Sequence, residues 1–147
     1  MAMDESAFHA ARLAHTPHPC AFEKALLAGH CRCSYASLHA LAERESVSCL
    51  SAQASAACAR FKSLLVSNAG FALRIAPGEA ALPHAKQMKL ECGGLTGLAR
   101  ALDREGGVAD VSDLVEAARV LYGGLEAAPY SEIMRAVAAF AVRRRRG

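Results

Sequence analysis

The sequence predicts an all-α fold, a compact single-domain bundle of about five to seven helices across residues 1–147. Three observations favour this class. Hydrophobic residues make up 53% of the chain, and alanine, the strongest helix former, supplies much of that share. Apolar residues recur at helical spacing in segments that glycine and proline separate. No segment alternates apolar and polar residues over a sustained run with β-branched enrichment.

The chain begins with residues 1–18, for which the sequence predicts either a short amphipathic helix or a flexible leader. Pro19 is suited to the first position of a helix that continues to Gly29, because the N–H that proline lacks has no partner there in any case. A second helix is predicted from about Ser34 to Glu45, with Tyr35 and Leu38 on its apolar face.

The longest predicted helix runs from about Ala52 to Leu73. Ser51 is a natural N-cap, since its hydroxyl can accept a hydrogen bond from a free N–H of the first turn. Residues at helical spacing define a buried stripe on this helix. They are Ala54, Cys58, Phe61, Leu65 and Ala69.

An irregular segment is predicted from about Ala76 to Gly94, because it contains Pro77, Gly78 and Pro83. It separates a cysteine-rich front half, residues 19–75, from a cysteine-poor back half, residues 95–147. Three further helices are expected in the back half. They are built on residues 95–102, on residues 114–121 after an N-cap at Asp110 or Ser112, and on residues 130–141.

Charge and hydropathy exclude several functional classes. Seventeen basic and 14 acidic residues give a net charge of +3, and Arg143–Arg146 alone contribute four positive charges. The rest of the chain is near neutral, so nucleic acid is not predicted as a partner. No apolar run reaches the roughly 20 residues of a membrane span, and the acidic first residues do not resemble a secretory signal. We therefore expect a cytoplasmic protein with no membrane partner.

Cysteine usage gives the strongest functional indication. The cytosol keeps thiols reduced, so six cysteines in such a protein favour metal binding or redox chemistry over structural disulfides. Four of them occur within 28 positions, at predicted helix boundaries or on an inward helical face. The predicted metal ligands are Cys31, Cys33, Cys49 and Cys58. Cys92 is predicted as a further cofactor-binding residue, and Cys20 as a reserve ligand or a reactive thiol.

The predicted cofactor is an iron–sulfur cluster, with zinc or copper(I) as alternatives. Four thiolates suit a cluster or a structural zinc ion, and soft donors also suit copper(I). The spacing departs from both the zinc-knuckle and the ferredoxin patterns, and inward-facing thiols among apolar residues favour the cluster. His30 and His39 lie close in sequence and are candidate donors or supporting partners.

The function predicted from this site is electron transfer, sensing or cluster delivery, with a protein partner. One alternative is a non-catalytic helical protein-interaction module with structural zinc or free thiols, since free cysteine is often a small core residue. Redox-active disulfide chemistry and a nucleic-acid-binding regulator also stay open. Catalysis is not predicted, because no enzyme signature is present. Gly93-Gly94-Leu95-Thr96-Gly97 is only a weak match to a phosphate-binding loop.

Overall fold

A computed structural model describes residues 18–41, 44–75 and 82–141 of the chain. The predicted leader therefore lies almost entirely outside the described residues, and so do Arg143–Arg146. The described part is mainly helical, as predicted, but it also contains a β-hairpin. The prediction of a strictly all-α fold is wrong for this reason. None of the described helices combines the length and the hydropathy needed to cross a bilayer.

The hairpin consists of β1, Ala36–Leu41, and β2, Arg44–Cys49, paired antiparallel with Ala36 opposite Cys49. It replaces the helix predicted over residues 34–45. Ser46, Val47 and Ser48 are buried, so both faces of β2 are covered at its centre, whereas Leu38 of the predicted apolar face is 70% exposed. Serine and β-branched valine are weak helix formers, and pairing with β1 satisfies their backbone groups.

The segment before the first described helix runs along β2. Pro19 forms an isolated antiparallel bridge with Ser48, so it does not begin a helix as predicted. The helix α1 is shorter than expected, Glu23–Leu27. Because Pro19 donates no N–H, it is tolerated at the outer edge of this small sheet.

The cap predicted for the longest helix is confirmed, and so is its buried stripe except at Ala54, which is half-buried, but the helix ends before the predicted Leu73. Helix α2, Ala52–Asn68, has Ser51 as its N-cap, whose Oγ accepts a hydrogen bond from the N–H of Ala54 at 3.1 Å. Ala69 breaks the helix before the short α3, Gly70–Leu73. The side chains of Cys58, Phe61 and Leu65 are buried in the core.

Much of the segment predicted as irregular is helical. Helix α4, His84–Met88, continues into a π-helix, Lys89–Gly93, and then into α5, Gly94–Ala101. Pro83 precedes α4 as its N-cap, and its carbonyl accepts the N–H of Gln87 at 2.9 Å, so this proline begins the helix and does not break it. A Cβ placed on Gly93 would lie 2.6 Å from the Cα of Val137, so these glycines permit close helix packing.

The back half ends in two helices that complete the core. Helix α6, Val111–Tyr122, follows Asp110 as its N-cap residue and stops at Gly123, whose φ of 73° suits glycine. After a 3-10 turn, Leu125–Ala127, helix α7 covers Tyr130–Ala139 and packs against α5. The predicted inward faces are confirmed at Leu114, Val115, Ala118, Ile133 and Val137, but Leu121 is largely exposed.

Candidate metal centre

Four thiols line one small cavity with a volume of about 20 Å³. It lies where the hairpin meets the start of α2 and the start of α6. A space of this size is enough for one water-sized group. The thiols belong to Cys20, Cys33, Cys49 and Cys58, and the other walls include Ala21, Ala36, Ala54 and Val111.

Backbone pairing fixes two of these cysteines beside each other. The N–H of Cys20 donates to the carbonyl of Val47 at 3.1 Å, and the N–H of Cys49 donates to the carbonyl of His18 at 2.6 Å. These bonds hold the segment before α1 along β2. Residues separated by almost 30 positions in sequence therefore supply neighbouring thiols.

Backbone N–H groups point at two of the sulfurs. The N–H of Phe22 donates to the sulfur of Cys20, and the N–H groups of Tyr35 and Ser112 donate to the sulfur of Cys33. Ser112 belongs to the first turn of α6, where free N–H groups favour a negative charge. Such N–H···S bonds stabilise thiolates and tune the potentials of iron–sulfur centres.

The fourth thiol comes from inside a helix. Cys58 lies on the inward face of α2 and is 8% exposed. The thiol of Cys49, at the end of β2, donates to the carbonyl of Ser51 at 3.1 Å. The loop before α2 is thus tied to the end of the hairpin. The segment that pairs with β2 supplies Cys20, and the segment before β1 supplies Cys33. The end of β2 supplies Cys49, and α2 supplies Cys58.

One carboxylate lies beside this group. The thiol of Cys33 is hydrogen-bonded to Asp110, whose carboxylate also accepts the N–H of Ser34 at 3.3 Å. Burial alone would raise the pKa of Asp110, but the hydrogen bonds from Ser34 and Cys33 hold that pKa below its ordinary value. Asp110 therefore carries a negative charge at neutral pH next to the cysteines.

Burial keeps three of the cavity thiols protonated in the absence of a cation. Burial, together with the charge that thiolates at neighbouring cavity cysteines would carry, raises the pKa of Cys20 and of Cys58 to about 12. Burial also raises the pKa of Cys33. Four thiolates cannot share this space without a compensating positive charge, which a bound metal would supply.

The four cysteine side chains line one cavity, but their sulfurs are not arranged around a common metal position. Within the described residues, no three His, Cys, Asp or Glu side chains are spaced to hold a metal ion as they stand. Ligation therefore requires cysteine side chains to turn into the cavity.

Two of the predicted ligands lie elsewhere. Cys31 is buried and forms a parallel bridge with Val108, and it does not line the cavity. Burial, followed by the charge that a thiolate at Cys92 or at Cys20 would carry, raises the pKa of Cys31 to about 12. The structure thus brings Cys33, Cys49 and Cys58 together with Cys20. Whether any of these residues binds a metal stays a prediction.

The two candidate histidines have other partners. His30 Nε2 is 3.2 Å from Thr96 Oγ1, and its ring lies edge-on to Phe140. His39 Nε2 is 2.8 Å from the hydroxyl of Ser48, which itself lines the cavity. His39 therefore contacts a residue of the cavity wall but does not itself line the cavity.

Glu91, which precedes Cys92, forms an ion pair that no pattern in the sequence predicts. Glu91 in the π-helix is 1% exposed, accepts the N–H of Ala25 at 3.2 Å and pairs with Lys62 at 3.1 Å. Removing Lys62 would leave the charge of Glu91 buried without its partner, which costs roughly 3–5 kcal/mol in buried pairs. The glycines after Cys92 contact α7 and Leu65, and they do not form a phosphate loop.

One sequence signal could have identified Cys20 as a member of the group. Cys20-Ala21-Phe22 and Cys33-Ser34-Tyr35 share a Cys-x-aromatic spacing. In both, the N–H of the aromatic residue donates to the cysteine sulfur. The two cysteines therefore share one local interaction, although Cys33 also interacts with Ser112 and Asp110.

Comparison with known proteins gives no assignment. The chain matches no protein-family model, and neither the curated proteins nor the solved structures include one that it matches. A function can therefore be proposed only from the residues of the site itself.

Alkaline pH is expected to destabilise the metal-free protein. The pKa of Cys31 is about 12 and that of Cys92 about 11, whereas unfolded thiols ionise near their ordinary pKa of roughly 8.5. Above that pH the unfolded chain has lost protons that the native chain retains. The free energy of unfolding should therefore fall by about 1.4 kcal/mol per pH unit for each such thiol.

Urea unfolding with reductant and a chelator, followed from pH 7 to pH 10, measures this slope. Cys92→Ala provides the control, since it removes one raised pKa and should make the slope shallower. A free energy of unfolding that stays constant over this range would contradict the assigned burial of the thiols.

Proposed function

We propose that this chain is a cysteine-ligated metal protein whose centre is held by Cys20, Cys33, Cys49 and Cys58. The proposed occupant is an iron–sulfur cluster, and the proposed role is electron transfer, sensing or cluster delivery to a protein partner. The observation that carries the proposal is that four thiols from four separate elements line one cavity.

The chemistry of the four cysteines supports a metal that prefers thiolate ligands. Four cysteines are the usual complement of a two-iron or four-iron cluster. The backbone N–H groups donated to Cys20 and Cys33 favour the thiolate form that every such metal requires. Alanine and valine side chains line part of the cavity, and apolar surroundings favour an oxygen-sensitive cluster.

A single zinc ion is the second candidate, and the cavity volume favours it. About 20 Å³ accommodates one ion, whereas a cluster requires the walls to move outward. Zinc bound by four cysteines would be structural, tying the segment before α1, the hairpin and α2 together. The chain would then act as a helical protein-interaction module. Copper(I) would suit the same soft donors.

The test is anaerobic purification followed by absorption spectroscopy and by assays for iron, zinc, copper and acid-labile sulfide. Iron and sulfide in equal amounts, with charge-transfer absorption in the visible, are expected. Cys33→Ser should lose both, and Cys92→Ser, which alters a buried thiol outside the cavity, should keep them. Circular dichroism of both variants verifies that they are folded.

The alternatives give distinct results. If the assays found one zinc or copper ion per chain and no sulfide, the cysteines would hold a single ion and not a cluster. Wild-type protein that holds no metal after anaerobic purification and reconstitution, with six titratable thiols, would overturn the proposal.

A further inference from the structure

An open groove with a volume of about 680 Å³ lies between α3 and α7. Its apolar lining includes Phe71 of α3 together with Met134 and Ala138 of α7. Phe71 is 100% exposed, which is the highest exposed fraction of any large apolar side chain in the described residues. Met134 is half-buried and packs against the core. The groove therefore presents an aromatic side chain and part of a methionine side chain to solvent.

Positively charged side chains accompany this apolar surface. Arg74, which follows α3, and Arg135 of α7 both line the groove, and neither forms an ion pair with a described carboxylate. Lys89 of the π-helix donates to the carbonyl of Ala138 at 3.4 Å, which places a third cation at the end of α7. None of the described residues that line the groove is acidic, and Glu132, the one acidic residue of α7, lies outside it.

The residue types in the groove are those of a protein-binding surface. A fully exposed phenylalanine contributes little to folding, because an apolar side chain stabilises the native state through its burial. Apolar surface rimmed by polar groups marks interaction sites, and phenylalanine, methionine and arginine are enriched at protein interfaces. Charge complementarity then requires an acidic partner, since the groove carries arginines and no acidic side chain in its described lining.

We propose that this groove binds an acidic amphipathic helix of a partner protein. An apolar side chain of that helix would pack against Phe71 and Met134, and its carboxylates would pair with Arg74 and Arg135. The groove lies between two helices and has no strand at its edge, so a helix laid in the groove is the recognition mode that fits. The apolar surface is recessed between the cations, which suits an inserted side chain better than a flat bilayer. One exposed aromatic ring offers too little stacking surface for a single-stranded nucleic acid.

The inference does not rest on the proposed metal centre. No described residue lines both this groove and the cysteine cavity. Cys58 lies about ten residues before the end of α2, which is roughly 15 Å of helix, and α3 follows that end. Metal-free protein should therefore bind the acidic helix as well as loaded protein does. Failure of this inference and failure of the metal site are separate results.

The experiment measures the fluorescence anisotropy of a labelled synthetic peptide titrated with the full chain, in reducing buffer with a chelator. The peptide is a helix of about four turns with leucine at positions i, i+3, i+4 and i+7 and glutamate at the others. Saturable binding that weakens as salt is raised is expected, because the contacts at the rim are between exposed charges. The same peptide with lysine in place of glutamate should bind at least about tenfold more weakly.

Two pairs of variants locate the binding surface. Phe71→Ala should weaken binding at least about tenfold, whereas Leu121→Ala, which truncates an exposed apolar side chain of α6 outside the groove, should not. Arg135→Gln should weaken binding about threefold or more. Arg100→Gln, which makes the same charge change at an exposed arginine of α5 outside the groove, should not. All four side chains are exposed, so circular dichroism of the variants should match that of wild type.

The contrary results are specific. Undiminished binding by Phe71→Ala, or equal losses in Arg135→Gln and Arg100→Gln, would overturn the groove as the binding surface. Tighter binding that depends on Phe71, either to vesicles of phosphatidylserine and phosphatidylcholine in equal amounts or to polyuridylate, would overturn the acidic helix as the occupant. Wild-type protein that shows no saturable binding of the acidic peptide would overturn the inference, whatever metal the chain holds.

Discussion

Replacing Cys20 by serine is expected to abolish metal binding, whereas replacing Cys31 by serine is expected to leave it intact. Cys20 lines the cavity with Cys33, Cys49 and Cys58, and Cys31 does not, although only one residue separates it from Cys33. Supporting partners of a metal ligand already contribute about 10–100-fold to affinity, so loss of a ligand should cost roughly 100-fold or more.

The two variants form a matched pair, since both replace one thiol by a hydroxyl, at positions on either side of α1. Metal content after anaerobic reconstitution and affinity in competition with a chelator are the measurements. If Cys31→Ser lost the metal and Cys20→Ser kept it, the ligand set would be the one that sequence spacing alone predicts. Loss in both variants would indicate that Cys31 supports the site through the neighbouring core.

The cysteine positions show what spacing can and cannot predict. The spacing groups Cys33, Cys49 and Cys58, because they are concentrated within a short stretch, and all three line the same cavity. Cys20 was assigned only a reserve role, since its proximity depends on Pro19 and Cys20 pairing with β2. That pairing is non-local and carries no helical or alternating pattern of its own.

Helices were predicted better than the segments between them. The cap at Ser51 and the stripe through Cys58, Phe61 and Leu65 follow from local rules, and the structure confirms them. The hairpin was missed because its buried residues are consecutive in β2, Ser46 to Ser48, so neither alternation nor helical spacing marks them. Tertiary pairing overrode the local pattern there.

The role of the glycines after Cys92 also could not be predicted from local sequence patterns. Adjacent glycines before a predicted helix suggest a turn or an anion-binding loop, and both depend on local geometry alone. In the fold they lie within a continuous helical segment, where they allow α7 to approach the π-helix and α5. Their role is visible only once the packing partner is known.

Gly93→Ala is therefore expected to destabilise the protein strongly. A Cβ at this position would lie 2.6 Å from the Cα of Val137 and 3.0 Å from the carbonyl oxygen of Ala136, and both are backbone atoms that cannot rotate away. Overpacking of this kind costs about 1–3 kcal/mol, and more where the backbone must shift. This cost outweighs the gain of roughly 1 kcal/mol that alanine normally brings to a helix.

Gly70→Ala is the matched control, because Gly70 begins the short helix α3 and a Cβ there would meet nothing within 4 Å. Its free energy of unfolding, measured by urea titration under reducing conditions, should stay within about 1 kcal/mol of wild type. Gly93→Ala should lose about 2 kcal/mol or more, with a lower denaturation midpoint and an unchanged m-value. If both variants were equally stable, α7 would not lie against Gly93. The glycines would then again be candidates for a role at a ligand, because packing would no longer account for them.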